Sequence, residues 1–307
     1  MLQILNTIIP VFAVILLGLA SRLTGHLTRN LTAPLNRLVY YLAIPAMIFK
    51  ALAKASFTSH FNPVLLAATL VPVLFTAGAA LGIGRLLKLP HRQMGTFLQS
   101  AFHGNLGYIG FAVAYYLLGE TGFTSASILA GFLMLLQNFL AVISLQLFSP
   151  HARTLHQLSF VLKKVALNPV ILSALAGILF SLSGLAMPVV AERTLAIIAG
   201  MALPLALLVI GASLSPMLIR AELKHTLATS ALKLILLPAA GVFFYLRTGL
   251  ATRTFLPGLI LLASPTATIT YVMAAEMGGS VELASAAVSF NTLLSAATFT
   301  FWLGLFR

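Results

Sequence analysis

The chain lacks cysteine and aspartate, and only five of its 307 residues are acidic. Without cysteine it has no disulfide framework and no thiolate-ligated metal. Without aspartate it has no aspartyl dyad of the kind found in aspartic proteases. It also lacks the His-Glu-x-x-His motif of zinc metalloproteases. Charged residues make up 7% of the chain, whereas a soluble domain carries about 25%. So little charge cannot solvate a soluble globule of this size.

Apolar residues dominate instead, at 60% of the chain, with a mean hydropathy of +1.05. The net charge of +13 is interpreted as cations flanking membrane helices, so no nucleic-acid partner is expected. The first apolar run starts at Met1 and is interpreted as a helix rather than a removed leader. Ten apolar runs reach the length that spans a bilayer, which predicts an all-α integral membrane protein surrounded by lipids. These spans 1 to 10 are 3–21, 34–53, 62–87, 93–118, 124–148, 160–182, 189–213, 222–246, 252–275 and 281–306.

The first half of the chain aligns with the second half without gaps at an offset of 159 residues. The coinciding Gly and Pro pairs are Pro10/Pro169, Gly18/Gly177, Gly25/Gly184, Pro45/Pro204, Gly82/Gly241 and Gly119/Gly278. Chance gives about one such match. Glycine and proline set backbone geometry, so the shared pattern predicts a duplicated backbone. The expected repeats are 1–148 and 160–307, five helices each, with 149–159 as a short cytoplasmic linker.

The distribution of lysine and arginine predicts the orientation. Loops after spans 1, 3, 5 and 7 and their flanks carry 11 of these cations, and the opposite side carries 6. The richer side is expected to be cytoplasmic, which leaves both termini outside, in a plasma membrane of the bacterial inner-membrane type. Five helices per repeat then make the two repeats inverted, an arrangement typical of alternating-access carriers.

Two spans contain sequences that disfavour a continuous helix. In span 4, residues 101–110 hold three glycines at every third position around Asn105. In span 9, residues 263–270 contain Pro265, which lacks an N–H and clashes with the preceding turn. The offset places Asn105 opposite Ser264, so the two predicted breaks are equivalent points of the repeats. Carrier sites are commonly built at such interruptions.

Interrupted helices expose N–H groups with partial positive charge, which favour anions, and polar side chains complete the shell. The alternative for these residues is structural: glycines for close packing, a buried packing histidine, and amides or hydroxyls bonded within or between helices. The predicted substrate-binding residues are His103, Gly104, Asn105, Gly107, Ser264, Pro265, Thr266, Thr268, Gln137, Asn138 and Asn291.

Three further residues stand out inside spans. Pro45 and Pro204 coincide at the offset and are expected to kink spans 2 and 7. Lys233 lies inside span 8, where it either reaches back to the cytoplasmic surface or acts as the counter-charge of an anion. No metal site and no cofactor are expected.

The chain resembles the auxin efflux carrier family, in its short bacterial branch of malonate- and malate-carrier-like proteins. The matching stretches are 42–49, Gly104-Asn105-Leu106-Gly107, Asn168-Pro169, 203–214 and Ala263-Ser264-Pro265. The resemblance implies a scaffold of spans 1, 2, 6 and 7 and a mobile transport unit of spans 3–5 and 8–10, working as an elevator. It also implies crossed, broken spans 4 and 9 around a carboxylate substrate, Asn105 as a substrate ligand, and a homodimer.

The function that these features predict is secondary transport of small organic anions, carboxylates above all, by alternating access. The alternatives are a sodium-coupled organic-anion symporter and a cation/proton antiporter on a related inverted fold. A channel also stays open, because gating is not visible in a sequence. No enzymatic activity is expected.

Overall fold

The computed structural model describes residues 1–54, 61–148 and 167–306. Within these ranges the chain is helical, with one isolated β-bridge and no strand. The predicted linker 149–159 and the predicted start of span 6 lie outside the described residues.

Six α-helices lie in the described part of residues 1–148. A π-helical turn, Val39–Ala43, joins the second helix to the third, and another, Leu106–Gly110, precedes the sixth. Inside the sixth helix, Gly119 alone is non-helical, with φ 68. The predicted gap between spans 4 and 5 is therefore a single glycine. The helices are α1 Leu2–Leu23, α2 Arg29–Leu38, α3 Ile44–Lys54, α4 Pro63–Leu86, α5 His91–Phe102 and α6 Phe111–Leu147.

Nine α-helices follow in residues 167–306. The π-helical turn Ala231–Leu236 joins the fifth and sixth of them. They are α7 Pro169–Leu182, α8 Val189–Gly200, α9 Ala202–Ser213, α10 Pro216–Ala221, α11 Leu223–Ser230, α12 Leu237–Arg247, α13 Thr252–Ala263, α14 Ile269–Glu276 and α15 Val281–Gly304.

Seven helical segments of the described chain are long and apolar enough to cross a membrane, and α7 and α13 are shorter apolar helices. Large apolar side chains such as Leu16, Leu179 and Ile197 are more than half exposed on their outer faces. Such faces suit hydrocarbon, while the helices satisfy their own backbone groups. The protein is a multi-pass integral membrane protein.

Local sequence signals set several helix starts. Asn62 accepts a hydrogen bond from the Leu65 N–H, and Asn168 accepts one from the Val170 N–H. Each asparagine is followed by a proline at the first helical position. The asparagine side chain satisfies a free N–H, and proline is pre-organised for the first turn. These two starts, of α4 and α7, therefore follow from residues local to them.

One close helix contact occurs twice in the molecule. α1 packs against α9, and α3 packs against α7. A Cβ on Gly18 would stand 2.2 Å from the Leu208 carbonyl oxygen, and a Cβ on Gly177 would stand 3.0 Å from the Phe49 carbonyl oxygen. The 159-residue offset maps Gly18 onto Gly177 and Phe49 onto Leu208. The same backbone approach, which only glycine permits, is thus repeated at equivalent positions.

Candidate functional site

The two interrupted helices meet at their interruptions. Beyond the ends of α5 and α13 the chain is extended, and the two extended pieces pair antiparallel. The Asn105 N–H donates to the Pro265 carbonyl at 2.7 Å, and the Ala267 N–H donates to the His103 carbonyl at 2.9 Å. These backbone bonds hold the crossing together.

The interruptions differ slightly from the predicted ones. The first comprises residues 103–105, so Gly107 belongs to the π-helical turn Leu106–Gly110 and not to the unwound segment. The second comprises residues 264–268, between α13 and α14. A π-helical turn keeps its residues hydrogen-bonded at a wider radius, which explains how Gly107 stays helical beside the break.

A glycine allows the two pieces to approach closely. A Cβ on Gly110 would stand 2.8 Å from the Ser264 hydroxyl oxygen and 3.3 Å from a Leu261 methyl carbon. A larger residue would therefore force the Ser264 and Leu261 side chains to move. Gly110 thus serves the contact between the two broken helices.

Several buried polar groups at the crossing have no hydrogen-bond partner among the described residues. Asn105 is 5% exposed, and its Nδ2 is unpaired. The Gln137 Oε1 accepts the Gly104 N–H at 3.1 Å, whereas the Gln137 Nε2 is unpaired. The buried Ser100 hydroxyl is unpaired as well. Unpaired buried donors are costly, so this cluster is suited to a ligand that brings acceptor atoms.

Lys233 also lies at the crossing. Its side chain is fully buried, and Nζ donates to the Leu262 carbonyl at 2.8 Å, in the last turn of α13. Nζ is 3.4 Å from the point where a Cβ on Gly104 would stand. The interpretation that this lysine reaches back to the membrane surface is therefore wrong. Residues far along the chain enclose it, which a span-by-span reading does not reveal.

His103 has mixed surroundings. Its carbonyl belongs to the crossing, but its ring is buried, with Nδ1 3.2 Å from Gln99 Nε2 on the preceding helical turn. The same Gln99 Nε2 donates to the Met273 sulfur at 3.2 Å, while Gln99 Oε1 has no partner. The histidine ring is thus held from α5.

Thr266 and Asn291 form a connected network. Asn291 Nδ2 donates to Thr266 Oγ1 at 2.7 Å, and Thr266 donates to the Ser100 carbonyl at 2.8 Å. The Ser230 hydroxyl donates to Asn291 Oδ1. These bonds tie α11 and α15 to the second interruption. Asn291 and Thr266 therefore hold the crossing in position through bonds between helices.

Other predicted site residues have local partners. The Ser264 hydroxyl donates to the Ile260 carbonyl at 2.9 Å, and Asn138 Nδ2 donates to the Met134 carbonyl at 2.7 Å, each within or at the end of its own helix. Thr268 is half-buried and precedes α14 without a side-chain capping bond. The structure does not bring Asn138 into a bond with the crossing.

The two matched prolines follow breaks in their spans. Pro45 is the second residue of α3, directly after the π-helical turn Val39–Ala43. Pro204 is the third residue of α9, after the turn residue Met201 that separates α8 from α9. Proline is tolerated in a first helical turn because its missing N–H has no partner there. The departure from regular α-helix thus lies up to a few residues before each proline, and not at the proline itself.

A cavity of about 460 Å³ lies between α3, α6, α8 and α9. Its lining includes Lys50, Tyr115, Glu120, Ala199 and Pro204. The volume falls in the range of small-molecule sites. The sequence analysis did not select the lining residues other than Pro204, because they come from four separate spans, 2, 4, 5 and 7, without a shared motif.

A hydrogen bond joins the broken span 4 to span 2, away from the cavity. The Tyr108 hydroxyl donates to Asn36 Oδ1 at 2.7 Å. Asn36 lies in α2, near the start of its span, whereas the cavity borders α3, near the end. The cavity and this bond therefore lie toward opposite ends of span 2.

The family model described as "Membrane transport protein" matches residues 3–303. The chain belongs to this family, the auxin efflux carrier family. It is a membrane transporter and not an enzyme. The predicted resemblance is thereby confirmed.

Relatives within the family match along nearly their whole length. A protein named "Putative malonate transporter" from Rhizobium meliloti (strain 1021) is 29% identical over 325 residues, covering 100% of this chain and 97% of the relative. An uncharacterized transporter of Methanothermobacter thermautotrophicus is 26% identical, with 97% and 96% covered. An uncharacterized transporter of Methanocaldococcus jannaschii is 23% identical, with 97% of both covered.

Some residues of the site carried a weak sequence signal. Gln99 and Ser100 are polar positions in the broken span, four and three residues before His103, and were not selected. Gln99 lies four residues before His103, and residues four apart share a helix face, so this spacing indicated that Gln99 lies near the Gly-Asn motif. No sequence pattern indicated a role for Asn36, because its partner, Tyr108, is distant in sequence.

Proposed function

We propose that this membrane transporter is a secondary carrier that moves small carboxylates across the membrane by alternating access. The observation that carries the proposal is the crossing, where the unpaired donors of Asn105 and Gln137 lie buried beside two interrupted helices. A carboxylate offers acceptor lone pairs to such donors and gains from the positive ends of the helices that start there.

The charges around the crossing favour an anion over a cation. None of the five glutamates of the chain is buried, and the chain has no aspartate. Among the described residues, Lys233 is the only lysine, arginine or glutamate whose side chain is buried. A transported cation usually needs a buried carboxylate. This balance disfavours cation/proton antiport as the activity.

Malonate is the first substrate to test. The name of the Rhizobium meliloti relative supports this choice. Because the two proteins share 29% identity, other short mono- and dicarboxylates belong in the same assay.

The proposed architecture is ten membrane helices in two inverted repeats, with both termini outside. The repeated contact of Gly18 and Gly177 supports the duplication, and the 11-to-6 distribution of Lys and Arg supports the orientation. The substrate-binding residues would be Asn105, Gln137 and Gly104, with Thr266 and Asn291 as positioning residues. A homodimer and an inner-membrane location complete the proposal.

Two groups of helices would move against each other in this mechanism. The scaffold set is α1, α2, α3, α7, α8 and α9, and the transport set is α4, α5, α6 and α11 to α15. The cavity lies between α3, α8 and α9 of the scaffold set and α6 of the transport set. The Asn36–Tyr108 bond joins the two sets toward the other end of span 2. With the orientation above, this is a conformation whose cavity opens to the outside and whose inner side is held closed.

Uptake of radiolabelled malonate into proteoliposomes tests the proposal. Separate arms impose a sodium gradient, a pH gradient or no gradient, and they distinguish sodium symport and proton coupling from uncoupled transport. We expect saturable uptake that unlabelled short carboxylates inhibit more strongly than their amides or amines. Protein-free vesicles and vesicles with the Asn105→Ala variant are the controls. Uptake of an amine in preference to every carboxylate would contradict the proposal.

A further inference from the structure

Lys233 is the one buried group at the crossing whose charge nothing in the described chain neutralises. Nζ donates to the Leu262 carbonyl at 2.8 Å, and a carbonyl supplies only a partial negative charge. The ion pairs of Lys54 with Glu192 and of His225 with Glu222 do not include Lys233. Every glutamate is exposed or half-buried.

A buried ammonium without an anionic partner is energetically unfavourable. The penalty for removing an ion from water remains several kcal/mol after the protein relaxes. A ligand of opposite charge that binds beside such a group offsets this penalty. Here the lysine borders the first interruption, because Nζ is 3.4 Å from the point where a Cβ on Gly104 would stand.

The groups around that interruption would bind one face of a carboxylate. The Gly104 N–H donates to Gln137 Oε1. The side-chain amide nitrogens of Gln137 and Asn105 have no partner among the described residues. Neutral donors can orient a carboxylate but cannot neutralise it. The ammonium provides the missing charge, since a charge-assisted bond is roughly twice as strong as a neutral one.

We propose that Lys233 is the counter-charge of the substrate carboxylate and thereby makes the site select an acid over its neutral amide. This inference rests on the proposed function and deepens it. The hydrogen bond to Leu262 fixes the ammonium in place, and the substrate supplies the negative charge. In the alternative, Lys233 only satisfies the carbonyl at the end of α13 and has no effect on ligand charge.

Two substitutions separate charge from hydrogen bonding. Lys233→Met removes both, while Lys233→Gln keeps a donor for the Leu262 carbonyl. Lys224→Met is the matched control, because Lys224 is an exposed lysine on α11, which precedes the π-helical turn that carries Lys233. Binding of malonate and of malonamide to the purified full chain is measured by calorimetry and competition, and ligand-free thermal unfolding is recorded for each variant.

We expect both Lys233 variants to lose malonate affinity by roughly 10- to 100-fold, the size of one charge-assisted contact. Malonamide affinity should change by less than about threefold, since the amide carries no charge to pair. Thermal stability without ligand should be unchanged or higher in Lys233→Met, because an uncompensated buried charge has been removed. Lys224→Met should match the wild type in all three measurements.

Two results would overturn the inference. One is malonate affinity within about threefold of wild type in a folded Lys233→Met protein. The other is equal weakening of malonate and malonamide together with lower stability, which is what a purely structural lysine would produce. Failure of the proposed function is distinguishable, because the wild type would then bind and transport no carboxylate. If Asn105→Ala impairs malonate transport while Lys233→Met does not, only the counter-charge is wrong.

Discussion

The scaffold set and the transport set differ in whether their buried polar groups all have hydrogen-bond partners. In the scaffold set, Gly18 and Gly177 bring backbones into direct contact. The transport set contains a backbone contact of the same kind, since a Cβ on Gly95 would stand 2.8 Å from the Ser144 carbonyl oxygen, and it adds hydrogen bonds around the crossing. All eight described buried side-chain atoms without a partner belong to the transport set or to the first interruption, and none to the scaffold set.

This contrast separates stability from function within one membrane fold. Backbone contacts through glycine maximise van der Waals packing and leave no polar group behind. Unpaired buried donors cost free energy, so they are expected where a ligand compensates for them. The scaffold set should therefore tolerate little change in volume, and the transport set little change in polarity.

The largest expected effect is on the scaffold contact. Gly18→Ala places a methyl group against the Leu208 carbonyl, 2.2 Å away before relaxation. We expect a loss of about 3 kcal/mol in stability, at the upper end of overpacking effects. Thermal unfolding in detergent measures it.

Gly78→Ala on α4 is the matched control, because a Cβ there meets nothing within 4 Å. Alanine should stabilise that helix by up to about 1 kcal/mol. Equal melting temperatures for the two variants would show that the close approach of α1 and α9 does not limit stability.

The second effect falls on transport rather than on stability. Asn105→Ala removes a buried donor, which should lower substrate affinity by about 1.5–3 kcal/mol, or roughly 10- to 100-fold. Unfolding should change little, since the Nδ2 atom has no partner to lose. Uptake and binding of malonate measure the loss.

Asn138→Ala serves as the control for Asn105→Ala, because the bond that Asn138 makes within the described chain is to Met134 on its own helix. We expect wild-type transport from this variant. Unchanged malonate affinity in Asn105→Ala would remove Asn105 from the site.

A smaller effect is expected from the network at the second interruption. Asn291→Ala leaves Thr266 Oγ1 and the Ser230 hydroxyl each with one bond fewer. We predict a loss of about 1–2 kcal/mol in stability, together with a moderate reduction of transport. If transport falls with no change in the melting temperature, Asn291 contacts the substrate instead of positioning the crossing.

The smallest effect concerns the bond between the two sets. Tyr108→Phe removes the bond to Asn36, worth about 1 kcal/mol, which changes a conformational equilibrium about fivefold. In the cysteine-free chain, an Ala199→Cys reporter in the cavity should then react more slowly with a thiol reagent.

Tyr271→Phe, at an exposed position on α14, controls for the loss of a hydroxyl. Faster labelling after Tyr108→Phe would mean that the bond stabilises the conformation with the cavity closed.

Prediction from sequence was most successful where the cause is local. The interruption at Pro265 follows from a missing N–H, and the start of α4 at Pro63 agrees with predicted span 3. The described part of span 6 differs, because α7 begins at Pro169, nine residues after the predicted start, where Asn168 provides the cap. Prediction failed for Lys233 because its burial depends on α13, which lies about thirty residues further along the chain. It did not separate Asn138 from Gln137, although these neighbours occupy different faces of α6.

The amino-acid sequence by itself determined the membrane class, the family and the two places where helices break. The apolar composition determines that the chain is surrounded by lipid rather than water. Gly and Pro determine the conformation of their own backbone. Only the tertiary structure decided which buried polar groups have partners. Asn291 is satisfied by Thr266, whereas Asn105 Nδ2 is left unpaired. The physical reason is that a hydrogen bond depends on atoms within about 3 Å, and those atoms come from helices distant in the chain.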